Sequence, residues 1–389
     1  MRLRYLLGAL AVLVLARAAT GAAGLTSPVT VSQTIAFAVP IALAGLAGIW
    51  SERSGVVNIG LEGMMIVGTF AAGWAGWLAG PWAAIAAGMA AGALAGLILA
   101  VLVVQCDVDH VVAGTAVNLL AMGSTSYLAT VVFAGELGGS QTQSPPMTAS
   151  LPAVQIASVA QPLADAHRDG VPGVRDLAGM AAGLFLDTSV VALATVILFA
   201  ATAFALWRTR TGLRLRSAGE NPWAAAAVGV QVRALRYLAV CASGALAGLG
   251  GAYLTVMSTM YREGITAGRG YIGLATTIFG NWRPGGTAVG AVMFGYLDTL
   301  RLTDIDGSTL RALVLVAAVL CAAAVIVARR RWLPIAAALA IATLYATVST
   351  FPPEVAQAAP YVVTIVVLAV SSQRLRPPAS AGLPYRSRR

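Results

Sequence analysis

The sequence contains no lysine, and all 25 of its basic side chains are arginine. A Walker A phosphate loop needs a lysine after its glycines, and a Schiff-base enzyme needs a lysine amine. The absence of lysine therefore excludes both kinds of chemistry in this chain. Any ATP that drives its activity must be bound by another polypeptide.

Histidine and cysteine are also scarce. The two histidines, His110 and His167, form no HExxH zinc motif, and the three cysteines, Cys106, Cys241 and Cys321, show no CxxC spacing. These patterns indicate neither a metal site nor a bound cofactor, and they predict that the cysteines are small apolar side chains. Nothing points to a catalytic triad, so no catalytic residues are predicted and the chain is not expected to be an enzyme.

Charged side chains make up only 10% of the 389 residues, whereas hydrophobic residues make up 58%. An ordinary soluble domain is about 25% charged, and a disordered chain is poor in apolar residues. The net charge of +10 would suggest nucleic acid in a soluble protein, but the arginines here lie between apolar runs, where they orient membrane helices. The composition therefore predicts an all-α integral membrane protein that contacts lipid and binds no nucleic acid.

Apolar runs predict about ten to twelve transmembrane helices, since one crossing uses about 20 residues. Residues 1–28 are either an uncleaved first span or a signal peptide, and the uncleaved span is favoured because multispanning proteins rarely need a removed signal. Some later runs are too short for a full crossing, which is typical of broken or re-entrant helices. The later runs are 29–50, 61–80, 82–104, 111–133, 188–207, 237–259, 271–281, 285–303, 309–328, 333–350 and 360–372.

Arginine placement predicts the orientation. Arginines crowd the connection 208–236, the run 329–331 and the tail 374–389, so these regions and both termini are expected to be cytoplasmic. The connection 134–187 carries more acidic than basic residues and is expected to face outward. It is either a docking surface for an external partner or a tolerated insertion. The expected organisation is an N-terminal span (1–28), a core (29–330), extra spans (331–373) and the basic tail.

A faint internal repeat relates two parts of the core. Residues 42–48 (ALAGLAG) match residues 245–251 (ALAGLGG), and an Ile-Gly-Leu follows each, at 59–61 and 272–274. On the predicted topology the two copies run in opposite directions, as the inverted repeats of transporters do. Chance similarity in a chain rich in alanine, glycine and leucine is the alternative.

Segment 51–65 (SERSGVVNIGLEGMM) interrupts two apolar runs with charged and polar groups. Charge in hydrocarbon is costly, so these groups are expected to face water, a cavity or each other. One interpretation is a broken helix that lines a pathway, with Asn58 and Glu62 on its polar wall. The other is an interfacial turn, in which Glu52 pairs with Arg53 in solvent and Glu62 favours the first turn of the next helix.

The basic connection contains residues 217–229 (SAGENPWAAAAVG). Asn221 is a good N-cap, Pro222 suits the first helical position, and Gly229 is able to end the helix. These residues predict a short helix with an apolar surface on the cytoplasmic face. It is interpreted either as a lever docked into a cytoplasmic partner or as a helix lying on lipid.

Segment 268–286 brackets a short apolar run with glycines and ends in Asn-Trp-Arg-Pro-Gly-Gly. A short span with exposed ends indicates a discontinuous helix. Thr276, Thr277 and Asn281 are candidates to hydrogen-bond a polar solute, whereas Trp282 and Arg283 are expected to anchor the inner interface. Two weaker candidates lie in another run, namely Asn118 and the stretch 124–127, because polar residues inside spans often bond neighbouring helices.

These three segments resemble one family, the membrane permeases of bacterial ABC importers of the branched-chain amino acid, ribose and nucleoside type. The likeness is strongest to nucleoside or simple-sugar permeases and covers about residues 30–330. Residues 51–65 look like the signature of that subgroup, residues 219–225 resemble its cytoplasmic coupling segment, and residues 278–286 resemble a later motif.

The resemblance implies an ATP-driven importer that works by alternating access. It implies two cytoplasmic ATPase subunits that bind the ATP, a second and different permease chain, and an extracellular substrate-binding lipoprotein, all at a bacterial plasma membrane. The substrate path is expected to involve Asn58, Glu62, Asn118, Thr276, Thr277 and Asn281. The coupling to the ATPase is expected to involve Gly219, Glu220, Asn221, Pro222 and Trp223.

An ion-coupled secondary transporter of a small polar solute is the alternative, because it also uses inverted repeats and broken helices. It would usually need acidic groups inside the membrane for the coupling ion. The few candidates are Glu62, Asp107, Asp109 and Asp298. A membrane-embedded enzyme would need clustered histidine or acidic residues, which the sequence lacks.

Overall fold

The computed structural model describes residues 13–154, 157–171, 173–303 and 375–385, together with single residues between 312 and 343. Within these ranges the chain is almost entirely helical, which confirms the all-α class. The predicted spans 309–328, 333–350 and 360–372, the arginines 329–331 and the first twelve residues lie outside the described residues.

Helices of very different length follow one another along the chain. Residues 13–20 are helical (α1), a 3₁₀ turn covers Ala23–Leu25, a π-helical turn covers Val101–Gln105, and two short strands are β1 (Ala153–Val154) and β2 (Thr188–Ser189). The other helices are α2 (Pro28–Arg53), α3 (Leu61–Ala79), α4 (Pro81–Ala100), α5 (His110–Phe133), α6 (Ala157–Asp169), α7 (Val174–Leu186), α8 (Val190–Arg208), α9 (Arg210–Glu220), α10 (Pro222–Ala227), α11 (Val232–Met257), α12 (Arg269–Phe279) and α13 (Pro284–Thr303).

Among the described residues, five helices are long and apolar enough to cross a membrane. Each coincides with a predicted run, because a continuous apolar stretch of this length is the strongest local signal in a membrane protein. The five are Pro28–Arg53, Pro81–Gln105, His110–Phe133, Val190–Arg208 and Val232–Met257.

Helix α12 is too short to cross. Its 11 residues span about 16 Å at the usual helical rise, against a hydrocarbon core of about 30 Å. A turn at residues 280–283 separates it from α13. The predicted short helix followed by a turn is therefore confirmed.

The chain divides into two compact units. The first comprises residues 1–37, 153–188 and 295–366, and the second comprises residues 38–152, 189–294 and 367–389. Helices α2 and α13 contribute residues to both units.

In the first unit, helices α6 and α7 occupy most of the predicted outer connection, and a buried ion pair holds α7. The Arg17 guanidinium contacts the Asp176 carboxylate, which also accepts a hydrogen bond from the Thr26 hydroxyl at 2.8 Å and one from the Gly173 amide at 3.2 Å. Burial opposes ionisation of Asp176, but these hydrogen bonds and the Arg17 charge outweigh it and lower its pKa. The pair therefore stabilises this unit while Asp176 is ionised, and the contribution is lost as the pH falls through the lowered pKa.

In the second unit, glycines bring α4 and α11 into backbone contact. Gly88 and Gly92 recur every fourth residue on α4, and Gly244 and Gly248 do so on α11. A Cβ atom on Gly92 would overlap the carbonyl oxygen of Gly244, and one on Gly248 would overlap that of Gly88. Stripes of small residues allow this approach, which replaces the hydrophobic driving force that lipid cannot supply.

Apolar side chains from three helices complete this packing. Met64 and Met65 of α3, Leu99 of α4, and Val240 and Leu254 of α11 belong to one buried cluster. The cluster and the glycine contacts together form the rigid support on which the interrupted helices lie.

We expect Gly92→Ala to destabilise the protein by about 1–3 kcal/mol, because the added methyl group overlaps a backbone carbonyl that has no room to move. The matched control is Gly123→Ala on α5, where nothing lies within 4 Å of the new Cβ. The control should stabilise by up to about 1 kcal/mol through helix propensity. Unfolding of the purified protein in detergent measures both changes in the free energy of unfolding. Changes of the same sign in the two variants would contradict the close packing of α4 against α11.

Candidate functional site

A cavity of about 310 Å³, lined by both polar and apolar side chains, lies in the second unit. Glu62, Ile66 and Thr69 line it from one face of α3. Residues at the same spacing line it from α5, and the connection before α12 closes it. These further lining residues are Asn118, Met122, Thr125, Tyr261, Glu263, Gly264, Ile265, Thr266, Ala267, Gly268 and Tyr271.

Glu62 caps the start of α12 from a distant part of the chain. Its carboxylate oxygens accept hydrogen bonds from the amides of Gly268 at 3.1 Å and Gly270 at 2.7 Å. Glu62 also lies in the first turn of α3, so its negative charge meets the positive ends of two helices. The side chain is 6% exposed. The first amides of a helix have no acceptor within that helix, and the Glu62 carboxylate supplies the acceptors for those of α12.

Asn118 makes the equivalent contact for α3. Its Oδ1 accepts a hydrogen bond from the Gly63 amide at 2.7 Å, and its Nδ2 donates to the Ile59 carbonyl and to the Tyr271 hydroxyl, each at 3.0 Å. Asn118 therefore ties α5 to the break before α3 and to the cavity wall. This is the helix-to-helix bonding that made Asn118 a weaker candidate for contact with solute.

Four other predicted path residues are not among those that line the cavity. Asn58 is fully buried, and its Nδ2 donates to the Ser243 hydroxyl at 3.0 Å. Thr276 and Thr277 are also fully buried, and the Thr277 hydroxyl donates to the Gly45 carbonyl of α2 at 2.8 Å. Asn281 lies in the turn between α12 and α13. Of the predicted path residues, the structure brings Glu62 and Asn118 together at the cavity.

Several cavity residues were not predicted from the sequence, chiefly Tyr261, Glu263 and Tyr271. Glu263 is exposed, and the Tyr271 side chain is 48% exposed, whereas Tyr261 is buried. Burial raises the pKa of Tyr261, so its hydroxyl keeps its proton. The detectable signal was Arg262-Glu263, a charged pair in a short connection between apolar helices.

The three segments that resemble the permease signature meet at one place, which we call the motif junction. It consists of Glu52, Arg53, Glu220, Asn281 and Trp282. The Trp282 indole Nε1 donates to the Glu52 carboxylate, and both side chains are buried. Arg53 donates to the carbonyls of Trp282 at 3.0 Å and Asn281 at 3.5 Å, and its Nη1 lies 3.9 Å from a Glu220 carboxylate oxygen.

One alternative and one expectation for these residues are wrong. The alternative in which Glu52 pairs with Arg53 in solvent is excluded, since Glu52 is buried against Trp282. Trp282 does not anchor an interface with its ring, since it is 6% exposed. Both residues were assigned from local charge and amphipathic character, but the contact that removes them from solvent joins positions 230 residues apart.

The turn between α12 and α13 depends on this junction. Asn281 and Trp282 both have φ near +54°, a left-handed conformation that is unfavourable for non-glycine residues. The two Arg53 hydrogen bonds hold the carbonyls of this turn in place. The guanidinium of Arg53 also lies over the Trp207 ring, 5.5 Å from its centroid. This cation–π contact helps to hold the arginine side chain in place.

Helix α10 forms as predicted. The Asn221 Oδ1 accepts a hydrogen bond from the Ala224 amide at 3.0 Å, Pro222 occupies the first helical position, and Gly229 has φ of +83°. Pro222 is buried, but Trp223 is 47% exposed and Val228 is 79% exposed. Gly219 lies so close to Arg53 that a Cβ there would overlap the Arg53 carbonyl oxygen. The predicted coupling residues are therefore contiguous with the motif junction.

Long apolar helices, interrupted helices and a cavity with polar and apolar lining residues define a multi-pass membrane protein of the transporter class. The chain belongs to the family described as branched-chain amino acid transport system / permease component, whose model matches residues 30–324. The resemblance stated from the three sequence segments is thereby confirmed. The chain is a transport permease component.

Several permeases of other organisms are similar to this chain. It is 32% identical over 282 residues to the guanosine ABC transporter permease protein NupQ of Bacillus subtilis, covering 70% of this chain and 82% of the relative. It is 31% identical over 285 residues to the nucleoside ABC transporter permease protein NupC of Lactococcus lactis, covering 71% and 82%. It is 32% identical over 273 residues to the putative glucose ABC transporter permease protein TsgC13 of Haloferax volcanii, covering 70% and 76%. No solved structure matches the chain significantly.

We expect Glu62→Gln to destabilise the start of α12 by about 1–3 kcal/mol, because an amide has one acceptor oxygen for two buried backbone donors. Hydrogen exchange of the amides at 268–272 in detergent measures the change. The control is Glu263→Gln, the same substitution on an exposed side chain of the same cavity, which should alter stability by less than about 0.5 kcal/mol. Equal exchange in the two variants would contradict the capping role of Glu62.

Proposed function

We propose that this chain is the membrane-spanning subunit of an ATP-driven importer that moves a nucleoside or a simple sugar by alternating access. The observation that carries the proposal is the motif junction, where the α2–α3 break and the α12–α13 turn meet the base of the exposed helix α10. A push on α10 from the cytoplasm would act directly on the ends of two interrupted helices. Interrupted helices are where transporters of this architecture change shape.

Separate cytoplasmic ATPase subunits supply the energy in this proposal. The chain has no lysine for a Walker A loop, and no cofactor is expected to bind it. Trp223 of α10 and Val228, which follows the helix directly, present apolar surface to a partner, as an ATPase groove would require. Gly219, Glu220, Asn221, Pro222 and Trp223 are the proposed coupling residues.

The complete importer would contain two ATPase subunits, a second and different permease chain, and an extracellular substrate-binding lipoprotein. It would lie in the bacterial plasma membrane with both termini of this chain in the cytoplasm, as the arginine-rich connections favour. The helices of the outer connection, α6 and α7, would then lie on the side of the binding lipoprotein.

A neutral polyhydroxylated solute suits the cavity. Glu263 and the hydroxyls of Thr69 and Thr125, which line the cavity, offer hydrogen-bond acceptors to sugar hydroxyls. The half-exposed ring of Tyr271 and the apolar Met122 offer a surface for a flat base or for a sugar face. The names of the relatives, which refer to guanosine, nucleosides and glucose, support the same class of solute.

Glu62 and Asn118 are the proposed path residues with access to this cavity. Asn58, Thr276, Thr277 and Asn281 would act on the path through the helices that they hold. ATP binding would shift the population between an outward and an inward state, which must differ by only a few kcal/mol for such a shift.

The ion-coupled alternative is less well supported. Glu62, the candidate with access to the cavity, already accepts two backbone hydrogen bonds, which suits a structural carboxylate better than one that releases and rebinds an ion. Membership of the permease family also favours the ATP-driven reading.

The test uses vesicles that contain this chain, its partner permease, the ATPase subunits and the binding lipoprotein. Uptake should require ATP on the side of the membrane that carries the ATPase subunits. Radiolabelled guanosine, ribose and glucose distinguish the solute classes. A non-hydrolysable ATP analogue is the control and should abolish accumulation. Accumulation driven by an ion gradient, with no ATPase subunit present, would overturn the proposal.

We expect Glu220→Lys to weaken co-purification of the ATPase subunits by about tenfold or more, since it places a second cation beside Arg53 and displaces the base of α10. Pro222→Gly should act in the same direction by loosening the first turn of α10. The control is Glu136→Lys, the same charge reversal at an exposed position in the outer connection. Unchanged co-purification of the ATPase with both variants of the 219–223 segment would remove its coupling role.

A further inference from the structure

Residues 375–385 cross the same face of the second unit that carries the motif junction. We call this segment the strap. It contains three prolines, at positions 377, 378 and 384, which restrict its backbone and lower the entropy cost of ordering it. From the sequence, this region was expected only to be part of a basic tail on the cytoplasmic side.

The strap contacts the α12–α13 turn and the base of α10 in succession. The Arg376 amide donates to the Asn281 Oδ1 at 2.8 Å, and the Ala379 amide donates to the Glu220 carboxylate at 3.1 Å. The Ser380 amide donates to the Gly219 carbonyl at 2.9 Å, and its hydroxyl donates to the Glu220 carbonyl at 3.0 Å. Ser380 therefore satisfies carbonyls at the end of α9 that have no partner within that helix.

The strap then contacts the α2–α3 break and α11. The Gly382 amide donates to the Gly55 carbonyl at 3.1 Å. Arg236, which is 1% exposed, donates to the Ser54 carbonyl at 3.3 Å and to the Leu383 carbonyl at 3.4 Å. One buried arginine thus joins the strap to the signature segment 51–65.

Tyr385 packs the strap against α10. Its ring is 8% exposed and lies 6.0 Å from the Trp223 ring, centroid to centroid, while the Arg236 guanidinium lies over it at 5.8 Å. Tyr385 also belongs to a buried cluster with Ala218, Ala225 and Val232. A helix of two turns is not stable alone, so its position depends on such packing.

We infer that residues 375–385 position α10 for coupling, with Tyr385 as the principal positioning residue. The strap bonds α10 at its base, the α2–α3 break and the α12–α13 turn at once, so it transmits displacement of α10 to both interrupted helices. This inference rests on the proposed ATP-driven import. Nothing in the motif resemblance extends to these residues.

The test uses the complete importer with Tyr385→Ala, Tyr385→Phe and Leu383→Ala. Tyr385→Phe keeps the ring contacts, and Leu383→Ala alters a side chain of the same segment that is 48% exposed. Two quantities are measured, namely hydrogen exchange of the amides in 219–228 and the number of solute molecules accumulated per ATP hydrolysed. Ser380→Ala provides a milder second variant in case Tyr385→Ala fails to fold.

Tyr385→Ala should speed exchange in 219–228 and lower the transport-to-hydrolysis ratio, each by about three- to tenfold, as expected for the loss of a buried aromatic contact. Tyr385→Phe and Leu383→Ala should match the unmodified chain, and Ser380→Ala should shift both quantities in the same direction by less. Hydrolysis itself should continue, because the ATPase subunits are untouched.

Unchanged exchange in Tyr385→Ala would overturn the inference, and so would faster exchange with an unchanged transport-to-hydrolysis ratio. A ratio that falls equally in Leu383→Ala would also overturn it, because the effect would then not depend on the ring. Failure of the unmodified importer to accumulate solute with ATP would instead reject the proposed function, whereas the exchange measurement would still decide whether the strap holds α10.

Discussion

Backbone amides and carbonyls at the ends of helices must find partners inside the protein when those ends lie away from water. The second unit contains several such ends, at the α2–α3 break and at both termini of α12. Glu62 satisfies two amides at the start of α12, and Asn118 satisfies one at the start of α3. Glu62 and Asn118, which line the cavity, therefore also satisfy the backbone groups at the ends of the interrupted helices.

A second set of contacts uses the same principle on the face that carries α10. Arg53 holds two carbonyls of the α12–α13 turn, and Ser380 holds the carbonyls that end α9. These bonds link elements whose ends would otherwise move independently. A permease needs such links, because a displacement at its surface must reach the path without being absorbed by flexible turns.

Close glycine packing joins the central helices of the second unit. Helices α3, α4 and α11 approach one another through glycines, and a methyl group at Gly92 would already be too large. Glycines also bring α12 against its neighbours, since a Cβ atom on Gly270 would overlap the backbone of Glu62 and one on Gly273 would overlap that of Gly45.

Local sequence determined the class of the protein, the five described membrane-length helices, the short α12 and the capped α10, because apolar run length and capping chemistry act over a few residues. Tertiary structure alone decided that Glu52 is buried against Trp282, that Glu62 caps α12, and that residues 375–385 cross the motif junction. Each of these contacts joins positions that are far apart in the chain. Local sequence patterns cannot predict such pairings, because the packing of whole helices determines which residues come into contact.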